Sequence, residues 1–172
     1  MFSGWGVRTV AKGEVSFNPI EYQLGSVWPH DNSLIAAGLR RYGYREQALR
    51  IFSSIFDTAT HFEQFRLPEV FAGFSREQYP QPVHYPVACR PQAWSSGPLP
   101  YLLQSALGLI ANSAASELEI SQPALPDWLH EVTISNLGVG KSRVDLEYKR
   151  SGETTLVAVK RRNGDVKVHV HQ

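Results

Sequence analysis

The feature that most constrains the fold is a change in hydrophobic periodicity along the chain. Up to about Ser116 the apolar residues recur at helical spacing, and from about Glu131 they alternate with period two. Helical spacing predicts helices that bury one face, whereas alternation predicts strands with one buried face. The 172 residues suit one compact domain, or one domain plus a small appendage. We therefore expect a mainly α fold followed by a small antiparallel β-sheet.

Two helices are predicted near the start of the chain. The first has Asp31 or Asn32 as its N-cap and ends at Gly43, which suits a left-handed C-terminal stop. The second begins near Arg45 and carries an apolar stripe at helical spacing: Ala48, Ile51, Phe52, Ile55, Phe56, Ala59 and Phe62. A connection of two or three residues predicts an antiparallel helical hairpin.

A long stretch rich in proline follows the second helix. It runs from Arg66 to roughly Trp94 and contains Pro68, Pro80, Pro82, Pro86 and Pro91. A loop of this length is uncommon inside a compact domain and is often functional. A third helix is predicted after it, with Pro98 and Pro100 at its start. The apolar side of this helix would comprise Leu102, Leu103, Ala106, Leu107 and Ile110.

The last third of the chain predicts about four antiparallel strands with one face packed on the helices. Turns are expected at Ser151–Gly152 and at Asn163–Gly164, and the second of these is the strongest hairpin signal in the chain. We place a domain boundary after residue 118, so that the helical part is residues 1–118 and the β appendage is residues 119–172.

Charge and cysteine content argue against several classes of partner. A net charge of +1 and a pI near 7.9 give no electrostatic reason to expect nucleic acid or an anionic membrane. No apolar run approaches the ~20 residues that span a bilayer. Cys89 is the only cysteine, which excludes an internal disulfide and favours a reduced, cytoplasmic setting. The glycine-rich patterns of phosphate loops are incomplete, and we expect no cofactor.

Metal ligands and nucleophiles are weak candidates. Of the six histidines only His169 and His171 are close together, on one face of the last strand. No third ligand stands at a suitable spacing, so we expect both to be surface residues and predict no metal site. Cys89 could act as a nucleophile with His84, although a lone cysteine is more often structural.

Glu69 is an acidic residue that solvation does not readily explain. It follows Pro68, which favours extended chain before it, and it begins the apolar run "EVFAGF". A carboxylate among apolar residues is costly unless it is paired, and Arg66 or Arg76 would be its partner in a loop ion pair. The alternative is a catalytic base beside aromatic walls. Spacing alone leaves both interpretations open.

Three segments, in one order and at close range, give the chain a specific resemblance. They are "YQLGSVWPHDNSLIAAGLRRYG", "RLPEVFAGF" and "YPVACRPQAWSSG". Together they resemble the C-terminal part of the amylo-alpha-1,6-glucosidase family, the glycogen debranching type of glycoside hydrolase. That family's glucosidase domain is an alpha/alpha toroid, a ring of helical hairpins. The resemblance therefore implies that residues 1–118 form part of such a toroid.

The resemblance also implies a site. The family hydrolyses α-1,6 branch points with inversion, using two carboxylic acids, and Glu69 would be the general base that activates water. The residues that contact the sugar would be Trp28, His30, Asp31, Gln92 and Trp94. Planar tryptophans and paired hydrogen-bonding groups suit the apolar faces and hydroxyls of a sugar. The ligand would be an α-glucan or a maltooligosaccharide.

The family's general acid lies N-terminal of the segments that match here. The chain would then carry the base without the acid and would be inactive alone. Helix faces left uncovered by missing hairpins predict self-association, or pairing with a separately encoded N-terminal complement of the toroid. Two alternatives stay open: a carbohydrate-binding remnant without catalysis, and a truncated product with neither activity nor ligand.

Overall fold

The computed structural model describes residues 1–90 and 92–171, and its contacts divide the chain into two compact units. Unit 1 is Met1–Leu102 and unit 2 is Leu103–Gln172. The helices of the described chain are α1 (Pro29–Arg41), α2 (Arg45–Thr60) and α3 (Pro98–Ala106). Its strands are β1 (Leu109–Asn112), β2 (Glu117–Ser121), β3 (Glu131–Val139), β4 (Ser142–Ser151), β5 (Thr154–Asn163) and β6 (Lys167–His171). Short 3₁₀ turns lie at Glu63–Phe65 and Ala93–Ser96.

The expected mainly α fold with part of an alpha/alpha toroid is wrong. Residues 1–90 and 92–171 contain three α-helices, and the strands form two small sheets. The reason lies in the proline-rich stretch after α2, because proline cannot donate to a helix ladder and restricts the residue before it. Beyond α3 the chain enters β1 at Leu109, so Ile110 lies in a strand and is exposed rather than on a buried helix face.

The end of α1 agrees with the sequence, but its beginning does not. Gly43 has a φ of +85°. The Gly43 amide donates to the Arg40 carbonyl, and the Tyr44 amide donates to the Leu39 carbonyl. This pair of bonds is a Schellman stop, as predicted. The predicted N-cap is wrong, because the helix already begins at Pro29, whose fixed φ suits the first helical position.

Asn32 does not cap α1 but binds the N-terminal loop. Its side chain is fully buried, and its Oδ1 accepts from the Val7 amide at 2.7 Å. Its Nδ2 donates to the carbonyls of Val7 and Trp28 at 3.0 and 2.9 Å. Asn32 therefore fixes the N-terminal loop against the first turn of α1.

The apolar stripe predicted for α2 is confirmed for most of its residues, whereas Phe56 is half-buried and Phe62 is buried beyond the helix end at Thr60. The buried residues of the helix include Ala48, Ile51, Phe52, Ile55 and Ala59. α2 packs against α1 across a connection of three residues, Tyr42–Tyr44. Over residues 66–90 and 92–94 the proline-rich stretch is irregular, as expected, apart from the start of the 3₁₀ turn Ala93–Ser96 and isolated bridges; Pro91 lies outside the described residues.

Two of those bridges position the loops of unit 1. Phe71 forms antiparallel bridges with Val27 and with His84. Phe71 and Val27 are fully buried and belong to one apolar cluster with Trp5 and Phe62. The segment before α1 and the segment around Glu69 therefore run side by side.

Unit 2 contains two three-stranded sheets rather than the single four-stranded sheet expected. One has the order β1-β2-β6, in which β2 and β6 are parallel, and the other is the antiparallel meander β3-β4-β5. Their shared apolar cluster is Leu107, Leu118, Ile120, Leu125, Val139, Val144, Leu146, Tyr148 and Val166. The turn at Ser151–Gly152 is confirmed, because β4 pairs with β5 across it.

The hairpin predicted at Asn163–Gly164 is wrong. Gly164 does have the positive φ of a turn, at +91°. The strand that follows, however, pairs with β2 instead of returning along β5. Between the turn and β6 the side chain of Val166 enters the core, and this burial carries the chain to the other sheet.

No helix in the described part of the chain combines the length and apolar character needed to cross a membrane.

Candidate functional site

Five rings in unit 1 form a continuous aromatic cluster: Tyr22, Trp28, His30, Tyr85 and Trp94. Tyr22 meets Trp28 edge to face at 4.8 Å between centroids, and Trp28 meets Trp94 in the same way at 5.8 Å. His30 is stacked on Trp94 at 4.8 Å with an interplanar angle of 14°. Tyr85 lies 5.8 Å from Tyr22. Three residues assigned by sequence to a sugar site, Trp28, His30 and Trp94, are thus brought together.

Backbone and side-chain hydrogen bonds hold this cluster in place. The Val27 amide donates to the Phe71 carbonyl at 2.9 Å, and the reverse bond is 3.0 Å. The indole Nε1 of Trp28 donates to the Ser26 hydroxyl at 3.0 Å. The Ser95 hydroxyl donates to the Pro68 carbonyl at 2.9 Å and so ties the turn that carries Trp94 to the segment that carries Glu69.

Glu69 adjoins the cluster and is 9% exposed. Its Oε1 accepts a hydrogen bond from the Tyr22 hydroxyl at 2.7 Å. Its Oε2 accepts a longer one, 3.4 Å, from the Cys89 amide. The Glu69 amide donates to the Cys89 carbonyl at 3.2 Å, so the loop at Cys89 fixes both the backbone and the carboxylate.

The loop ion pair considered for Glu69 does not form. Arg76 instead pairs with Asp57 at 2.6 Å and lies over the ring of Trp5. Arg66 is exposed, and none of the ion pairs within residues 1–90 and 92–171 includes Glu69. The carboxylate is therefore nearly buried with neutral donors only, an arrangement that leaves acceptor positions for a ligand.

Tyr85 and Tyr22 are the rings of this cluster that the sequence did not single out, and Tyr22 is the one that bonds to Glu69. Its hydrogen bond to Glu69, followed by partial burial, raises the pKa of Tyr22 to about 12. The phenol therefore stays protonated near neutral pH and remains a donor to the carboxylate. The sequence feature that could have pointed to Tyr22 is its position at the start of the "YQLGSVWPHD" segment, six residues before Trp28.

His30 and Asp31 occupy the outer end of the cluster. The His30 Nδ1 atom lies 3.5 Å from the Asp31 Oδ1 atom, and this ring nitrogen is buried without a hydrogen bond in the described chain. The ring is held by stacking on Trp94 instead. Trp94 is 43% exposed, whereas Trp28 is 6% exposed. Trp94 is therefore the indole of this pair that a ligand can reach from solvent.

The Gln92 side chain caps the turn that carries Trp94. Its Oε1 accepts from the Ala93 amide at 3.0 Å, which makes Gln92 the N-cap of the turn Ala93–Ser96. Its side-chain oxygen is thus engaged in placing Trp94, which leaves the amide nitrogen as the group that could donate to a ligand.

The other sequence candidates are not assembled into sites. The Cys89 thiol makes no hydrogen bond to His84 within the described chain, and Arg90 donates to the His84 Nδ1 atom at 2.9 Å. Burial and the nearby Arg90 charge lower the pKa of His84. No set of three or more His, Cys, Asp or Glu side chains among the described residues is arranged to hold a metal ion.

No protein-family model matches this chain, and no curated protein matches it. Neither comparison therefore supports the class of glycoside hydrolases, and the toroid that the resemblance implied is not the observed fold. What the structure does provide is an aromatic cluster beside a nearly buried carboxylate without an ion pair.

Proposed function

We propose that unit 1 binds a sugar at the surface formed by Trp94, His30 and Glu69. The observation that carries the proposal is the contact chain that runs from the exposed Trp94 ring through Trp28 and Tyr22 to the Glu69 carboxylate. A sugar has apolar ring faces that stack on indole and hydroxyls that donate to carboxylates. Both complementary groups are present, and they are joined by a continuous set of contacting rings.

The hydrogen-bonding capacity of Glu69 supports this proposal. An ionised carboxylate offers about four acceptor positions, and the two oxygens of Glu69 each accept one bond from the protein. The remaining positions suit hydroxyl donors. The resemblance in sequence points to glucose units, so the proposed ligand is an α-glucan or a maltooligosaccharide.

A fluorescence titration with a maltooligosaccharide tests this proposal. Stacking on Trp94 should change tryptophan emission in a saturable way. Trp94→Ala should weaken binding by about tenfold or more, because the loss of one aromatic contact is worth about 1.4 kcal/mol. The matched control is Trp128→Phe, which replaces a similarly exposed indole in unit 2 and should leave affinity unchanged. No saturable change in the wild-type protein would exclude an assembled sugar site.

A second set of variants isolates the carboxylate. Glu69→Gln keeps the size of the side chain but removes its charge and half of its acceptor capacity, so sugar affinity should fall. Tyr22→Phe keeps the Glu69 side chain and removes only the hydrogen bond that its Oε1 atom accepts, so its effect on affinity should be smaller. Equal affinity in the wild type and in Glu69→Gln would remove Glu69 from the proposed site.

A second candidate function is hydrolysis of α-1,6-glucosidic bonds, with Glu69 as the general base. The nearly buried, fixed carboxylate favours this role. The general acid would come from a separate N-terminal complement, so the chain by itself is expected to be inactive. Branch-point hydrolysis that appears on mixing with such a complement, and disappears with Glu69→Gln, would support this function. Hydrolysis that persists in Glu69→Gln would contradict it.

Assembly and location are the remaining parts of this proposal. Leu34 and Ile35 are exposed on α1, at 51% and 38%, and would contribute to self-association or to the contact with a complement. Sedimentation showing a stable monomer that binds no apolar dye would contradict that expectation.

The single cysteine supports a cytoplasmic setting.

A further inference from the structure

Strand β6 presents two imidazoles on one face of its sheet. Val168 packs against the core of unit 2, whereas His169 and His171 are exposed. Because side chains alternate along a strand, the two histidines share the face opposite Val168. Their spacing of two residues places both rings on the same side of the sheet at neighbouring positions.

The neighbouring strand adds negative charge to this face. In β2 the side chains of Leu118 and Ile120 are buried, so Glu117 and Glu119 point to the opposite face. Parallel pairing sets Glu119 directly beside His169. These residues are fifty positions apart in sequence, and for this reason spacing along the chain could not reveal the pairing.

The same face borders a pocket that is open to solvent. It has a volume of about 290 Å³ and is lined by Ile110, Asn112, Glu117, Glu119, His169 and His171. Both imidazoles therefore border one space that is large enough for a hydrated ion. Lys167 is on the same strand, and its Nζ atom lies 3.8 Å from the Glu117 Oε1 atom.

The backbone on which the histidines stand is fixed at both ends. The Lys167 amide donates to the Ser116 carbonyl at 2.9 Å, and the Gln122 amide donates to the His171 carbonyl at 2.6 Å. The two ring-bearing residues thus belong to a strand held along its whole length by β2 and the residues that flank it. Such a strand presents its ligands at a fixed separation, which lowers the entropic cost of chelation.

We propose that His169 and His171 form a chelating pair for a divalent transition-metal ion such as Zn²⁺. One nitrogen of each imidazole binds the ion, and water fills the remaining coordination positions. Glu119 attracts the ion through its charge. Nitrogen ligands favour Zn²⁺, Ni²⁺ and Cu²⁺ over Mg²⁺ and Ca²⁺, which prefer oxygen. The site has two protein ligands, and no group of three or more His, Cys, Asp or Glu among the described residues could hold a metal ion.

Calorimetric titration of the full chain with Zn²⁺ alone tests this proposal. The wild-type protein should bind one ion per chain, and His169→Ala and His171→Ala should each abolish the saturable heat, because one imidazole cannot chelate. His130→Ala is the matched control, since His130 is an exposed histidine of unit 2 that does not line the pocket. This variant should bind like the wild type. Titration with Mg²⁺ should give no saturable heat.

Glu119→Gln separates charge from ligation. A carboxylate about 6 Å from a divalent ion in water raises affinity by roughly tenfold at low salt, and screening reduces this factor as salt is added. The variant should therefore bind Zn²⁺ more weakly at low salt and approach the wild type at high salt. Circular dichroism would verify that all variants are folded. Absence of Zn²⁺ binding, or binding that survives both single histidine substitutions, would overturn the proposal.

Discussion

Tyr148 gives the most direct test of how the core of unit 2 is stabilised. Its side chain is completely buried, and its hydroxyl has no hydrogen-bond partner among the residues described. Tyr148→Phe removes this hydroxyl and keeps the ring. A buried hydroxyl that has lost its bonds to water and gained none costs about 1–3 kcal/mol. We therefore expect the free energy of unfolding to increase by about 1 kcal/mol or more.

The ring of Tyr148 should contribute in the opposite direction. Tyr148→Ala leaves a cavity among the buried residues of the cluster, and truncating a buried aromatic ring costs about 3–5 kcal/mol. Two substitutions at one position are thus expected to differ in sign. This difference separates the cost of the polar group from the contribution of packing.

Urea denaturation at pH 7, followed by circular dichroism, would measure both effects. For a protein of this size the denaturant slope is about 1–3 kcal/mol per molar urea, so an increase of 1 kcal/mol raises the midpoint by about 0.3–1 M. The slope itself should not change, because the hydroxyl adds little to the surface exposed on unfolding.

The pH dependence provides an independent measurement. Burial raises the pKa of Tyr148 above its ordinary value of 10.0. The folded protein thus retains this proton at pH values where the unfolded chain loses it. Stability from this group is complete below about pH 10 and is lost as the pH rises further. Tyr148→Phe should lack this loss, whereas Tyr42→Phe, at a residue 79% exposed, should retain it.

The refuting result is a lower urea midpoint for Tyr148→Phe than for the wild type. It would mean that the hydroxyl is hydrogen-bonded in the folded protein and contributes to stability. An unchanged midpoint together with an unchanged alkaline profile would equally contradict the reasoning from burial.

Three further substitutions probe unit 1. Gly73→Ala should lower the free energy of unfolding by about 3 kcal/mol or more, since the added Cβ would lie 1.7 Å from the Gly25 carbonyl oxygen; a normal melting temperature would contradict this. Gly38→Ala is the control, because Gly38 lies inside α1 and its added Cβ meets no atom within 4 Å beyond the helix's own backbone. This substitution should stabilise the protein by about 0.5–1 kcal/mol. Asn32→Ala should cost about 2–4 kcal/mol in thermal unfolding, because the Val7 amide and carbonyl lose their partner. A loss below 1 kcal/mol would show that water replaces those bonds.

The helices of unit 1 were predictable where the signal was local. The stripe of α2 and the glycine stop of α1 depend on residues within one or two turns of each other. The N-cap was mispredicted because Asn32 bonds to Val7, a residue 25 positions away. An asparagine side chain can bond either to a helix end or to a distant loop. The few residues around it in sequence do not indicate which of the two it does.

Strand pairing was even harder to predict from local sequence than the helix ends. The turn at Ser151–Gly152 joins two strands that pair with each other, so local turn chemistry predicted it. The turn at Asn163–Gly164 has equally good chemistry, yet β6 pairs with β2. Burial of Val166 decided the outcome, and burial depends on the whole unit.

For the candidate site, the resemblance in sequence suggested residues but not their connections. The mutual contacts of Trp28, His30 and Trp94 agree with their assignment to one surface. The hydrogen bond from Tyr22 to Glu69 joins residues 47 positions apart and was not foreseen. Both belong to segments that lack regular structure, where no periodicity indicates which side chains meet.

The parallel pairing of β2 with β6 determines the order in which unit 2 can assemble. The β3–β4 and β4–β5 pairs join neighbours in sequence and can form as soon as their own residues leave the ribosome. β2 can also pair early with its neighbour β1, but its pairing with β6 must wait, because Glu117 pairs with Lys167 fifty residues later. Closing so long a loop costs about 2 kcal/mol more chain entropy than closing one of about five residues. Docking of β6 is therefore expected to be the late step in folding, and until then the backbone edge of β2 that β6 will cover is available to other chains.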